Sequence, residues 1–252
     1  MPSPNQDLTK LLKRLKLGKV ASTLPERLSL ARSQQLDYAA FLEILLADEV
    51  TRRDQRSLEL RLQQAGFEEV CRLEDFDWTA QIKLDRRLLQ QLFSLAFLDR
   101  HHHGLFVGPV GVGKTFLAQA LGYAALRAGY SVLFTRADAL LKSLLQARAD
   151  HSFEKEFRRY LSPNLLIVDD FGLRKLNAQQ SADLYELIVA RHRRSSFVFT
   201  SNRAIDEWLA LFDDPILGNS ALDRLTHASY QIVIEGASYR ERLAPKLSKE
   251  SA

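Results

Sequence analysis

The chain lacks the residues and runs that would tie it to an oxidising compartment or to a membrane. Its 252 residues hold one cysteine, Cys71, so no internal disulfide can form and a stapled secreted fold is excluded. Long apolar runs are missing too: the wholly apolar stretches are a handful of residues, such as Leu165 to Val168, against the roughly 20 that a bilayer-spanning helix needs. The opening MPSPNQDLTKLLKRLKLGKVAS has no uninterrupted apolar core of the kind a signal peptide carries. These absences lead us to expect a cytoplasmic protein with no membrane span. There is no internal repeat, low-complexity tract or heptad run, and no strong charge of one sign. A net charge of +4 and an isoelectric point near 9.2 permit a polyanionic partner without identifying one.

What is present divides into two parts. Leu8, Leu11, Leu12 and Leu15 recur at helical spacing, with Lys10, Lys13, Arg14, Lys16 and Lys19 on the other faces, which predicts a short basic amphipathic helix. A second helix is expected from about Ser33 to Ala65, with Tyr38, Phe41, Leu42, Leu45, Leu46, Leu58 and Leu62 as its apolar stripe and Gly66 as its stop. Its middle, TRRDQR, is charged on nearly every face. After a connecting helix around Leu84 to Leu98, short apolar strands alternate with helices. The strands read as Leu105 to Gly108, Val132 to Thr135, Leu165 to Asp169, Phe197 to Ser201 and Tyr230 to Ile234, with helices such as Thr115 to Ala128 and Ser181 to Arg194 between them. Such alternation requires crossover connections, hence an α/β fold with a mostly parallel sheet sandwiched by helices. The expected organisation is a helical, basic N-terminal domain over residues 1–75 and a nucleotide-binding domain over 76–252.

The strongest local signal is GPVGVGKT, comprising Gly108, Pro109, Val110, Gly111, Val112, Gly113, Lys114 and Thr115, between an expected strand and helix. Glycines there let backbone N–H groups surround a phosphate, and the next helix turns its positive end to the anion. Lys114 would neutralise the outer phosphate oxygens of ATP, and the Thr115 hydroxyl would face Mg²⁺. Magnesium then needs acid from a neighbouring strand, and LLIVDDF supplies it: Asp169 as the Mg²⁺-linked carboxylate, Asp170 as the group that polarises water. Taken alone, a DD pair is equally a strand ending in a polar turn. Asn202, ending FVFTSN where open α/β sheets place their ligands, could hold the attacking water; alone it is as readily a turn residue.

These motifs in this order resemble the AAA+ ATPases from about Phe76 to Leu243. The resemblance implies that Arg224, in SALDRL, reaches the nucleotide site of a neighbouring subunit, and that Arg240, in ASYRER, touches the terminal phosphate in its own. More narrowly, YAAFLEILLADEVTRRDQRSLELRLQQAGF, EDFDW, GPVGVGKTFLAQALG, LLIVDDFG, TSNR, LDRL and SYR make the chain similar along nearly its whole length to IstB, the helper ATPase of insertion-sequence transposition, grouped with DnaC-type helicase loaders and DnaA. That likeness implies a homo-oligomer with shared nucleotide sites, assembled with ATP on duplex DNA, that deforms the DNA and recruits or activates an IstA-like transposase. A replicative helicase loader acting on single strands is the alternative, and a non-hydrolysing ATP switch a third. Phe116 stands where the family is expected to have His, and its side chain is expected to face helix packing beside the cofactor-binding loop.

Runs of positive charge are by themselves solvated faces. The resemblance favours DNA contacts for Lys10, Lys13, Arg14, Lys16 and Lys19, for Arg52, Arg53 and Arg56 of TRRDQR, and for Lys155, Arg158 and Arg159 of KEFRRY. Arg191, Arg193 and Arg194 are read as solvated surface. His101, His102 and His103 lack the spacing and partners of a metal site and are read as a loop.

Overall fold

The computed structural model describes residues 6–79 and 82–239. The chain forms two compact units, Met1–Leu60 and Arg61–Ala252. In the first, α1 (Gln6–Arg14), α2 (Val20–Ser33) and α3 (Tyr38–Ala65, whose last turn belongs to the second unit) close over Val20, Leu24 and Leu45, with Leu12, Leu17, Leu28 and Phe41 packed against them. Helix α2 escapes the sequence pattern because Pro25 interrupts it. The helix expected from Ser33 begins at Tyr38, where Asp37 Oδ1 accepts the Ala40 N–H at 2.7 Å. Its apolar stripe splits: Phe41 and Leu45 turn inward, whereas Tyr38, Leu42 and Leu46 lie on the outside. A two-pronged ion pair from Arg27 to Asp48, at 2.6 and 3.1 Å, ties α2 to α3.

The second unit starts within the expected N-terminal domain. Residues 61–75 pack on it: Phe67 meets Phe134 edge to face at 6.2 Å, Cys71 is buried, and burial pushes its thiol up to about 11. The chain continues through β1 (Ile82–Lys83), α4 (Arg86–Phe93), α5 (Ala96–Asp99), β2 (His103–Val107), α6 (Lys114–Arg127) and β3 (Val132–Arg136). Then come α7 (Ala137–Ala149), α8 (Phe153–Leu161), β4 (Leu165–Phe171), α9 (Ala178–Arg191), β5 (Ser196–Ser201), α10 (Pro215–Thr226), β6 (Ser229–Val233) and β7 (Glu235–Gly236). The single helix expected around Leu84 to Leu98 breaks at Leu95, whose φ of 65° is incompatible with helix. Strands β1 and β7 form a two-residue antiparallel pair, too short to register as a period in the sequence.

Five parallel strands in the order β3-β4-β5-β2-β6 make the main sheet, confirming the α/β expectation. One face carries Leu105, Val107, Leu133, Leu166, Val168, Phe197 and Phe199 into a core with α7, α8, α9 and Trp208. Helix α6 covers the other, with Gly122 admitting Ile167 and Phe67. Strand β5 separates β2 from β4, so a ligand held after β2 meets β4 only across the end of β5.

Two readings of charge need correcting. Arg191 is buried, not solvated: its guanidinium donates to the carbonyls of Tyr160 (2.8 Å), Leu161 (3.2 Å), Pro163 (3.0 Å) and Ser196 (2.6 Å), closing the C-terminal ends of α8 and α9. Burial pulls it down to about 9, still protonated at neutral pH. Arg193 and Arg194 are exposed, as read. His103 is not loop but the first residue of β2, buried, with Nδ1 accepting the Phe197 N–H at 3.2 Å. Burial, then Arg191, hold it down to about 4. It is neutral when folded and takes a proton near 6.5 when unfolded. Stability is therefore expected to be full above pH 6.5 and to fall by about 1.4 kcal/mol per pH unit from there toward pH 4. Urea unfolding at pH 7 and pH 5 measures this, and His103→Asn, whose Oδ1 can accept the same N–H, should lose that part of the slope.

Candidate functional site

Strand β2 runs into the glycine loop, and α6 starts at Lys114 immediately after it. Gly113 caps α6 at φ 93°, and a Cβ there would come 2.8 Å from the Phe76 ring. Gly108 lies against the Ile234 carbonyl oxygen with no room for a Cβ. Both positions require glycine, the first for its left-handed backbone and the second for close approach. The Lys114 ammonium is buried and donates to the carbonyls of Gly108 (2.8 Å) and Pro109 (2.6 Å). It stands in a cleft of about 590 Å³ together with Thr115, Asp169, Asp170, Asn202, Arg136 and Tyr239. The sequence-read loop, acid pair and polar strand end thus meet in one place.

Asp169 is buried at the end of β4, and burial pushes its carboxyl up. Two hydroxyls pull it back: Thr200 Oγ1 donates at 2.5 Å, and Thr115 Oγ1 lies 2.9 and 3.2 Å from its two oxygens. A hydroxyl beside an ionised, hydrogen-bonded carboxylate suits a hard divalent cation completed by phosphate oxygens and water, so these residues fit Mg²⁺. No cluster of three or more metal-binding side chains occurs among the described residues, consistent with a cation that arrives with its ligand's phosphates. Asp170, half-buried at φ 55°, turns to the same cleft.

The opposite wall is aromatic. Phe116 lines the cleft and meets Phe76 at 5.5 Å between ring centres, so the expectation that it faces helix packing is overturned. Phe76 in turn packs edge to face on Trp78 at 4.8 Å. Beside them the Glu68 and Glu69 N–H groups both donate to Gln119 Oε1 of α6 at 3.1 Å, and Arg136 Nε donates to Glu68 Oε1 at 2.8 Å. Tyr239 donates its N–H to the Gly111 carbonyl at 2.8 Å, fastening the segment after β7 to the glycine loop. Sequence reasoning passed over Phe76, Arg136, Thr200 and Tyr239. Each sits one to four residues from a noted feature, but only the fold turns it toward the cleft.

Arg224, on α10, is half-buried and donates to the Ser220 carbonyl (2.7 Å) and Ser220 Oγ (2.5 Å); it does not line its own chain's cleft. Arg240 lies outside the described residues. Among the basic groups, Lys10, Lys13, Arg14, Lys16 and Lys19 are exposed, as are Arg56 and, on α8, Lys155, Arg158 and Arg159. Phe157 and Tyr160 anchor α8 from its other face. Arg159 is paired to Glu156 at 2.9 Å. Arg52 and Arg53 are committed to the buried Glu49 at 2.6 and 2.7 Å, and hydrogen bonds from Arg52 first, then Arg53, hold that carboxyl down to about 2. They are therefore poorer phosphate ligands than their place in TRRDQR suggested.

A phosphate loop after the central strand, acids at the end of β4 and a polar end on the β5 between them define a P-loop nucleotide-binding protein of the AAA+ fold. The solved structures agree on that fold: DnaI (TM-score 0.57, 19% identity, covering 65% of this chain and 90% of that one) and the DnaC helicase loader (0.51, 22%, 58% and 85%). The chain belongs to the IstB-like ATP-binding proteins, whose family model matches residues 10–246. Among its relatives are an ATP-binding protein in an insertion sequence of Mycobacterium tuberculosis, 41% identical over 239 residues and covering 94% of this chain and 95% of the relative, and that of insertion sequence IS21 of Pseudomonas aeruginosa, 36% identical over 248 residues and covering 97% and 94%.

Proposed function

We propose that this protein is a cytoplasmic helper ATPase of insertion-sequence transposition, which assembles with ATP on duplex DNA, reshapes it and recruits or activates an IstA-like transposase. The observation that carries the ATPase part is the convergence of Lys114, Thr115, Asp169, Asp170 and Asn202 on one cleft. The mobile-element part is supported by whole-length similarity to insertion-sequence ATP-binding proteins.

In this reading the glycine-loop N–H groups and Lys114 hold the β- and γ-phosphates, while Thr115 and Asp169 hold Mg²⁺, which when bound neutralises charge developing on the transferred phosphoryl group. Asp170 accepts a hydrogen bond from the attacking water and draws off its proton, and Asn202 keeps that water in line. Asp170 is one methylene shorter than Glu and has a shorter reach from its backbone. Phe76 and Phe116 enclose the base in their apolar, aromatic corner. Arg224, tied to its own helix and away from its own cleft, serves the neighbouring subunit, which makes hydrolysis depend on assembly. Arg240 is assigned the terminal phosphate in cis.

For DNA, exposed α1 and the outer face of α8 offer phosphate contacts that position without reading sequence. Neutralising Lys13, Arg14 and Lys16 together is expected to weaken binding alike on unrelated duplexes. It should also flatten the log–log salt dependence by up to about 3, at about 0.9 per phosphate released. An unchanged salt slope would return α1 to solvated surface.

ATP turnover and particle mass by light scattering, measured with no DNA, with duplex and with single strands, test the whole reading. Both should rise together on duplex. Equal or greater response to single strands would favour a helicase loader, and assembly without phosphate release an ATP switch.

A further inference from the structure

Two adjacent acids of one strand, Asp169 and Asp170, turn to one cleft, and strand geometry forbids this by default. Successive side chains of a strand point to opposite faces. Val168 lies in the core with α7 and α9, and Asp169 meets Thr115 of α6 on the other face, so residue 170 belongs by alternation in the core. It is not there. From Val168 to Phe171 β4 advances three residues, while its partner β5 advances two, Phe199 to Ser201. One residue is surplus, a bulge in a parallel pair, where bulges are rare. Phe171 takes the core position, 2% exposed, and Asp170 is expelled toward the cleft with a left-handed backbone, φ 55°.

A bulged residue leaves the ladder, so its N–H needs another partner. Thr200 of β5 supplies one: its Oγ1 accepts the Asp170 N–H at 2.9 Å. The same hydroxyl gives its only proton to Asp169 Oδ1 at 2.5 Å, and the side chain is wholly buried. One atom therefore fixes the backbone of one acid and the carboxylate of the other. A donor–acceptor of this size is required, since valine has the shape and neither function.

We propose that Thr200 is a positioning residue of the nucleotide site, whose hydroxyl holds the surplus Asp170 outward and Asp169 toward Thr115, so that neighbours in sequence serve as metal-linked acid and water-polarising acid of one reaction. The inference rests on the hydrolytic reading above.

The test compares full-length Thr200→Val and Thr200→Ser with wild type. It uses ATP turnover on duplex DNA, binding of N-methylanthraniloyl-ATP with and without Mg²⁺, and thermal melting. For valine, kcat is expected to fall about 10- to 100-fold and the Mg²⁺ needed for half-maximal support of nucleotide binding to rise by a similar factor, as when other groups that orient a metal ligand are removed. Nucleotide binding without Mg²⁺ should not change, and serine should restore both quantities to within about threefold, because it keeps the hydroxyl. The proposal is overturned if valine turns over like wild type, if serine is as impaired as valine, or if valine weakens Mg²⁺-free binding as much as it slows turnover. Should valine fail to fold, Thr200→Cys, a weaker donor in the same space, carries the same expectations. If wild type itself releases no phosphate, the hydrolytic reading fails, while the Mg²⁺ titration still decides on Thr200.

Discussion

Arg224→Ala will bind ATP as tightly as wild type in the isolated subunit and hydrolyse it about 10³- to 10⁵-fold more slowly in the assembled state, the worth of an arginine supplied across an interface. The reason lies in placement. The guanidinium leaves α10 tied to Ser220 and contributes nothing to the cleft of its own chain, so removing it spares that cleft. Mixing gives the sharper result. Arg224→Ala keeps a complete cleft but offers no arginine, whereas Lys114→Ala keeps the arginine but lacks the phosphate cation. Co-assembled, a Lys114→Ala neighbour should rescue part of the turnover of Arg224→Ala. Wild-type kinetics for Arg224→Ala alone, or no rescue in mixtures that do co-assemble, would end the trans assignment.

Lys114→Ala will lose nucleotide binding and nucleotide-dependent assembly together. The ammonium is held at the floor of the loop by two carbonyls and stands beside the position of the terminal phosphates. Two charge-assisted hydrogen bonds to phosphate, at about 1.5 to 3 kcal/mol each, correspond to an affinity loss of about a hundredfold or more. The two carbonyls would lose a buried donor as well, so a melting curve must accompany the titration. Unchanged ATP affinity in a folded Lys114→Ala would sink the phosphate-loop assignment, and lost affinity with intact assembly would separate assembly from nucleotide.

Local patterns legible in the sequence carried most of the nucleotide site. The glycine loop, Lys114 and Thr115 are contiguous, and LLIVDDF announces a buried strand ending in acid without any knowledge of its neighbours. The five strands were legible to within a residue or two because buried parallel strands are near-continuous apolar runs. What stayed hidden depends on contacts distant in sequence. Thr200 is one polar residue before a strand end, and nothing local shows that it bridges two acids 30 residues earlier. The surplus residue in β4 becomes visible only when β4 is laid against β5. Arg191 and Arg194 are both arginines in one short run, yet one is sealed among carbonyls and the other is exposed, because burial depends on how α8 approaches α9. Likewise the stripe of α3 could not tell Leu45 from Leu46 until α2, masked by Pro25, was in place.

The burial of Cys71 has a practical consequence. With its thiol at about 11, almost none of it is thiolate at neutral pH, and the side chain is closed to reagents and oxidants. Wild type is therefore chemically silent toward maleimides and disulfide reagents. A single cysteine introduced on α1 or α8 becomes the sole reactive thiol of each subunit, ready to carry a dye or a cross-linker with no background to subtract.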